Sequence, residues 1–140
     1  MSYLIDTNVI SELRKADRCD DHVARWFASV DDSEIFLSVL TIGEIRRGIE
    51  SIHRRDARSA SALNRWLRGL VETFQDRILV VDRLVAEEWG RMTAPTPFPV
   101  IDGLLAATAK IHGLSLVTRN TKHVARTGVS FFNPFTNAES

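Results

Sequence analysis

Four short apolar runs, Tyr3–Ile5, Ile35–Leu37, Ile78–Val81 and Leu114–Val117, are separated by longer segments with helical spacing, and this alternation constrains the fold most. Runs this short, rich in Ile, Val and Leu, read as buried strands, whereas the spacers carry apolar residues at helical intervals. Strands that alternate with helices build a mostly parallel sheet of four or five strands, covered on both faces and joined by right-handed crossovers. The expected class is therefore α/β. One edge of such a sheet collects the carboxyl ends of the strands, which is where open α/β sheets bind ligands. At 140 residues, with no internal repeat, low-complexity tract or linker, residues 1–140 are expected to form a single domain.

The helical segments have recognisable ends. Asp20-Asp21 precedes a stripe of Val23, Trp26, Phe27 and Val30, and Asp82 precedes Val85, Trp89 and Met92, as N-terminal caps should. Thr41-Ile42-Gly43-Glu44 has the form of a capping box at the start of a helix with Ile45, Ile49 and Ile52 on its apolar side. A longer helix follows the break at His53–Asp56. Thr93–Pro99 contains three of the four prolines and reads as an extended loop. A helix then runs from Val100 to a stop at Gly113. Beyond Thr118-Arg119-Asn120 come a short helical segment near Lys122–Arg126, an edge strand within Val129–Phe132, and a polar tail after Asn133-Pro134-Phe135.

Composition excludes several classes. A single cysteine, Cys19, rules out an internal disulfide and any cysteine-rich zinc site, and a reducing cytoplasm suits it. The apolar stretch Val100–Val117 is interrupted by Asp102, Lys110 and His112, so no membrane role is expected. Eighteen basic and eighteen acidic residues cancel, but seven arginines between Arg46 and Arg68 face only Glu50 and Asp56. That stretch is either a phosphate-facing surface or the solvated face of two helices.

Three acids stand out by position. Asp6 ends the first strand, Glu44 is expected in the first turn of the helix after the second, and Asp102 in the first turn of the helix preceding the fourth. A helix leading into a strand is read here as starting at the opposite edge, so Asp102 joins the others only if the proline loop carries the chain back. Small residues follow one turn after two of them, Gly48 after Glu44 and Ala106 after Asp102. Each acid also has a structural reading: Asp6 and Asn8 as caps, Glu44 in its capping box or paired with Arg47, Asp102 on its helix dipole. Together in one cleft, three carboxylates would repel one another and call for a cation, of which Mg2+ or Mn2+ suits hard oxygen ligands. A phosphate-binding P-loop, a Gly-x-Ser-x-Gly elbow and a His-Glu-x-x-His motif are all missing, which leaves metal-assisted hydrolysis.

Leu4–Glu12, Ser38–Gly48, Pro99–Ala107 and His112–Asn120, in that order and spacing, resemble the PIN domain, and most closely the VapC-type toxins of bacterial toxin–antitoxin pairs. The resemblance implies a compact α/β/α sandwich and a ribonuclease dependent on Mg2+ or Mn2+. It further implies a homodimer and a cognate VapB-like antitoxin whose tail blocks the acidic cleft, with operator DNA contacted only through that antitoxin. Asp6, Glu44 and Asp102 fall on the family's acidic positions. The fourth position departs: Asn120 stands where many PIN domains have Asp, and His123 stands where members with this Thr-Arg-Asn form often carry one.

On that basis Asp6 and Asp102 are expected to bind the metal directly and Glu44 directly or through water. Asn120 and Thr118 would orient water or phosphate, Asn8 would support Asp6, and Arg46, Arg47, Arg119 and Lys122 would contact the RNA backbone. The competing readings are a catalytically silent PIN module that binds antitoxin or RNA, and a DNA-directed nuclease of the same fold.

Overall fold

Leu4 and Ile5 are fully buried at the centre of the sheet, and the rest of the chain is wrapped around them. The computed structural model describes residues 1–136; the end of the polar tail, residues 137–140, lies outside the described residues. Five parallel strands, β1 (Tyr3–Ile5), β2 (Ile35–Ser38), β3 (Ile78–Leu79), β4 (Ser115–Val117) and β5 (Phe131–Phe132), lie in the order β3-β2-β1-β4-β5. Tyr3 sits opposite Ile35 on one side and Ser115 on the other, so β1 is flanked on both sides.

Alternation along the strands divides the interior in two. Ile5, Ile35, Leu37 and Val117 face one core, together with Val9 and Ile10 of α1 (Thr7–Leu13), Val23 of α2 (Asp21–Ser29), Ile45 and Ile49 of α3 (Val39–His53), and Ala60 and Leu67 of α4 (Ala57–Thr73). Leu4 and Leu116 face the other. There they meet Leu105, Ala106 and Ala109 of α6 (Val100–His112) and Val124 of α7 (Thr121–Val124), with Met92 of α5 (Arg83–Thr93) at its margin. The result is the expected α/β/α layering, with all five strands parallel. The connection between α1 and α2 is pinned by Glu12, which accepts from the backbone N–H of Asp20 (2.8 Å) and from Lys15 (3.0 Å).

Three details differ from the sequence reading. The helix after β2 begins earlier than the capping box suggested: Ser38 is the N-cap, its hydroxyl accepting from the N–H of Leu40 (3.0 Å). Thr41 is therefore a buried interior residue, and Glu44 stands in the second turn. The third strand is shorter, because Val80 has left the sheet and is exposed. The direction of α6 is also corrected. His112 is separated from Ser115 by two residues, so α6 ends where β4 begins and runs antiparallel to it. At about 1.5 Å per residue its 13 residues span about 20 Å, which brings its first turn, with Asp102, to the carboxyl edge of the sheet.

Two glycines make this possible. Gly103 sits against α5, where an added Cβ would lie 3.0 Å from Cδ1 of Trp89 and 3.1 Å from Cγ2 of Thr93. Gly113 adopts φ +66° and ends α6, its N–H donating to the carbonyls of Ala109 and Lys110. Nothing lies near a Cβ at Gly113, so its requirement is backbone conformation alone. Gly113→Ala should lower unfolding free energy by roughly 1–2 kcal/mol, and Gly113→Asn by less. Urea denaturation of both variants checks this, and an unchanged midpoint for the alanine variant would contradict it.

Candidate active site

Asp6 is the N-cap of α1 and lies at the carboxyl end of β1, only 6% exposed. Its Oδ1 accepts from the backbone N–H of Thr7 (2.7 Å), and its Oδ2 accepts from the hydroxyl of Thr118 (2.7 Å). Asn8 approaches Oδ2 through Nδ2 at 3.4 Å, and its own Oδ1 accepts from the backbone N–H of Arg119 (3.2 Å). The hydroxyl of Thr118 in turn accepts from the N–H of Asn120 (3.0 Å). The loops that end β1 and β4 are thereby tied into one polar network around a single carboxylate.

The other two acids approach Asp6 from different sides. Glu44 is reached through Thr7, whose hydroxyl donates to Oε1 of Glu44. It opens into a depression of about 210 Å³ shared with Arg14 and Gly48. Asp102 lines a separate cleft of about 410 Å³ with Arg119, Asn120, Thr121, Lys122 and His123. Asn120 is the N-cap of α7 yet makes no side-chain capping bond, so its carboxamide remains available to that cleft. Both acids are nevertheless electrostatically felt at Asp6. Burial pushes the Asp6 carboxyl above its ordinary value; the hydrogen bonds from Thr118 and Thr7 oppose this, and the charges of Asp102 and Glu44 raise it further.

The donor set is chemically suited to a hard divalent cation: carboxylate oxygens, the Asn120 carboxamide, and an excess of negative charge that a cation would relieve. It is not a closed shell. Among the described residues, no three His, Cys, Asp or Glu side chains stand together as a ready-made coordination group.

Of the residues singled out from sequence, Asp6, Asn8, Thr118 and Asn120 form one network, and Asp102, Asn120, Arg119 and Lys122 line one cleft. Arg46 lies elsewhere. It donates to Asn64 (2.8 Å) and lines a groove of about 600 Å³ between α3 and α4 with Ile42, Leu67 and Arg68. Arg47 is exposed on α3 and is not part of the Asp102 cleft. Thr7 was missed from the sequence, although a hydroxyl residue directly after a strand-terminal Asp is the signal that could have found it.

Because the folded-state pKa of Asp6 lies above its ordinary 3.8, the stability that this group contributes is full below that value and is lost as pH rises through the folded-state value. Ionised Asp6 thus costs stability at neutral pH. In metal-free buffer, Asp6→Asn should raise Tm relative to the unsubstituted chain at pH 7–8, and that advantage should shrink as pH falls toward 4. A Tm difference that stays constant across this range would contradict the charge account.

A PIN-domain family profile matches residues 3–129. The chain is 31% identical over 137 residues to the VapC ribonuclease Y4jK of Sinorhizobium fredii, covering 94% of this chain and 96% of that protein. The crystal structure of FitAcB from Neisseria gonorrhoeae superposes with a TM-score of 0.88 at 30% identity, over 96% of this chain and 99% of the other. A toxin–antitoxin complex from Klebsiella pneumoniae superposes with a TM-score of 0.72 at 25% identity, over 95% and 98% of the two chains. With the strand order, the carboxyl-edge acids and the match across nearly its whole length in agreement, the chain belongs to the PIN-domain family.

Proposed function

We propose that this protein is an endoribonuclease that uses a divalent cation, Mg2+ or Mn2+, and acts as the toxin of a toxin–antitoxin pair. The observation that carries the reading is Asp6: a buried carboxylate, raised in pKa by its desolvation and by Asp102 and Glu44, at the ligand-binding edge of a PIN fold. The S. fredii relative, named a ribonuclease, supports RNA as the substrate. The K. pneumoniae complex supports a VapB-like antitoxin as the partner. Homodimerisation, contact with operator DNA only through the antitoxin, and a cytoplasmic location belong to the same reading. No helix among the described residues is long and apolar enough to cross a membrane.

In this reading Asp6 and Asp102 hold the cation directly, and Glu44 does so directly or through water. The bound ion would supply a water of lowered pKa and neutralise charge on the phosphodiester. The remaining roles follow from the hydrogen bonds. Thr118 has one hydroxyl proton and gives it to Asp6, so it positions that carboxylate rather than touching phosphate. Asn8 clamps the two loops together, and Thr7 orients Glu44. Asn120 presents an uncharged oxygen and amide to water or phosphate, and Arg119 and Lys122 attract the RNA backbone to the rim.

The neutral Asn120 in the Asp102 cleft favours one second reading, a PIN module that binds antitoxin or RNA without cutting. Incubation of antitoxin-free protein with a mixed RNA pool separates the two. Discrete fragments are expected with Mg2+ or Mn2+, none with EDTA or with Asp6→Asn, and a rate about 10- to 100-fold lower for Thr118→Val, since it loses a bond that orients a ligand. Cleavage that persists in EDTA, or a fully active Asp6→Asn, would refute the metal role. A folded protein that binds RNA but never cuts it would establish the silent module.

A further inference from the structure

The cleft beside Asp102 has a second set of side chains that hydrolysis itself does not use. His123, on its wall, has its ring centroid 5.3 Å from that of Phe98 in the proline loop, the planes tilted by 52°. Arg126 ties the pair together: its Nη2 donates to Nδ1 of His123 (3.0 Å), and its guanidinium stands 6.0 Å from the centre of the Phe98 ring. Both rings are half-buried, with neither drawn into the core clusters. Arg119, Lys122 and Arg126 are exposed within eight residues of one another.

We infer that Phe98 and His123 form a stacking subsite for an unpaired base of the RNA strand, immediately beside the phosphate held at the acidic cleft; this rests on the ribonuclease reading above. An acidic floor alone would repel a polyanion, so the strand must approach along the cationic wall, which contains His123, with Phe98 packed against it from the proline loop. Aromatic surface interleaved with Arg and Lys is the combination that binds single-stranded nucleic acid, the cations tracking phosphates while the rings take base faces. Sequence-tolerant stacking of this kind also selects for unpaired RNA, because a base inside a duplex has no free face. The guanidinium of Arg119, 4.3 Å from the Phe135 ring centre, is held at the same rim. The alternative is that the Phe98–His123 contact only fastens the proline loop to α7.

The test uses Asp6→Asn, which binds without cutting, and a fluorescent single-stranded RNA carrying the preferred cleavage site, with abasic nucleotides placed at each position in turn. Loss of one base next to the cleavage site should weaken binding roughly 5- to 150-fold, while the other positions matter less. Adding His123→Ala should weaken binding to the intact RNA and abolish its sensitivity to that abasic position. His123→Phe should restore both, since a phenyl ring keeps a stacking face, whereas a contact that only fastens the loop gives no dependence of binding on any single base. Phe98→Ala should match His123→Ala in its abasic profile. Binding that ignores every abasic position, or a profile unchanged by His123→Ala, overturns the subsite. Cleavage of the parent RNA by the unsubstituted chain is measured alongside. If the chain cuts but binding is independent of bases, the subsite alone fails; if it does not cut, the ribonuclease reading fails and the subsite with it.

Discussion

A carboxylate kept out of water at the end of the central strand is what the surrounding structure is arranged to tolerate. Left alone, a buried Asp6 would protonate or pull water inward. Two donors, the N–H of Thr7 and the hydroxyl of Thr118, compensate in part, and each comes from a different strand-to-helix junction. The parallel pairing of β1 with β4 sets those junctions side by side, since Ile5 lies opposite Val117 and the next residues along the chain are Asp6 and Thr118. The register of one strand pair therefore sets the geometry of the polar network. A one-residue slip of β1 would turn Leu4 out of its core and separate the network at the same time.

Compensation is incomplete, and the residual cost is where function enters. Asp102 and Glu44 add like charge around a group that burial already disfavours as an anion. Structures that carry such unrelieved charge at a ligand-binding edge are poised to bind a cation, because binding offsets a cost the metal-free fold must bear. The cost is distributed rather than concentrated. Glu44 works through Thr7, and Asp102 faces a cleft with Asn120 and the cationic rim. In the proposed reading, a site built this way would hold an ion through few direct contacts and leave positions for water and phosphate.

Most of the architecture was legible from period and punctuation. Four strands were visible as apolar runs, the caps at Asp20 and Asp82 and the stop at Gly113 lie where the sequence put them, and the fifth strand forms the sheet edge. The misreadings have physical causes. Thr41–Glu44 mimics a capping box, but Ser38 caps first because the chain turns directly out of β2, and a local motif cannot report that competition. The edge on which Asp102 sits depends on the direction of α6, which follows from the two-residue link to parallel β4 and not from the helix's own residues. Within the site, Asp6, Asn8, Thr118 and Asn120 could be nominated from one sequence, whereas the bridge from Thr7 to Glu44 and the pairing of Phe98 with His123 join residues 37 and 25 positions apart in the chain. No periodicity carries such information.

In the proposed reading, a bound divalent cation relieves the charge centred on Asp6 and shared with Asp102. Thermal unfolding in a Mn2+ or Mg2+ titration, starting from EDTA-treated protein, tests it without any substrate. The ion is expected to raise Tm in a saturable way for the unsubstituted chain, and this rise is expected to be lost in both Asp6→Asn and Asp102→Asn. A chain whose Tm ignores the ion, or whose response survives in either variant, would contradict it.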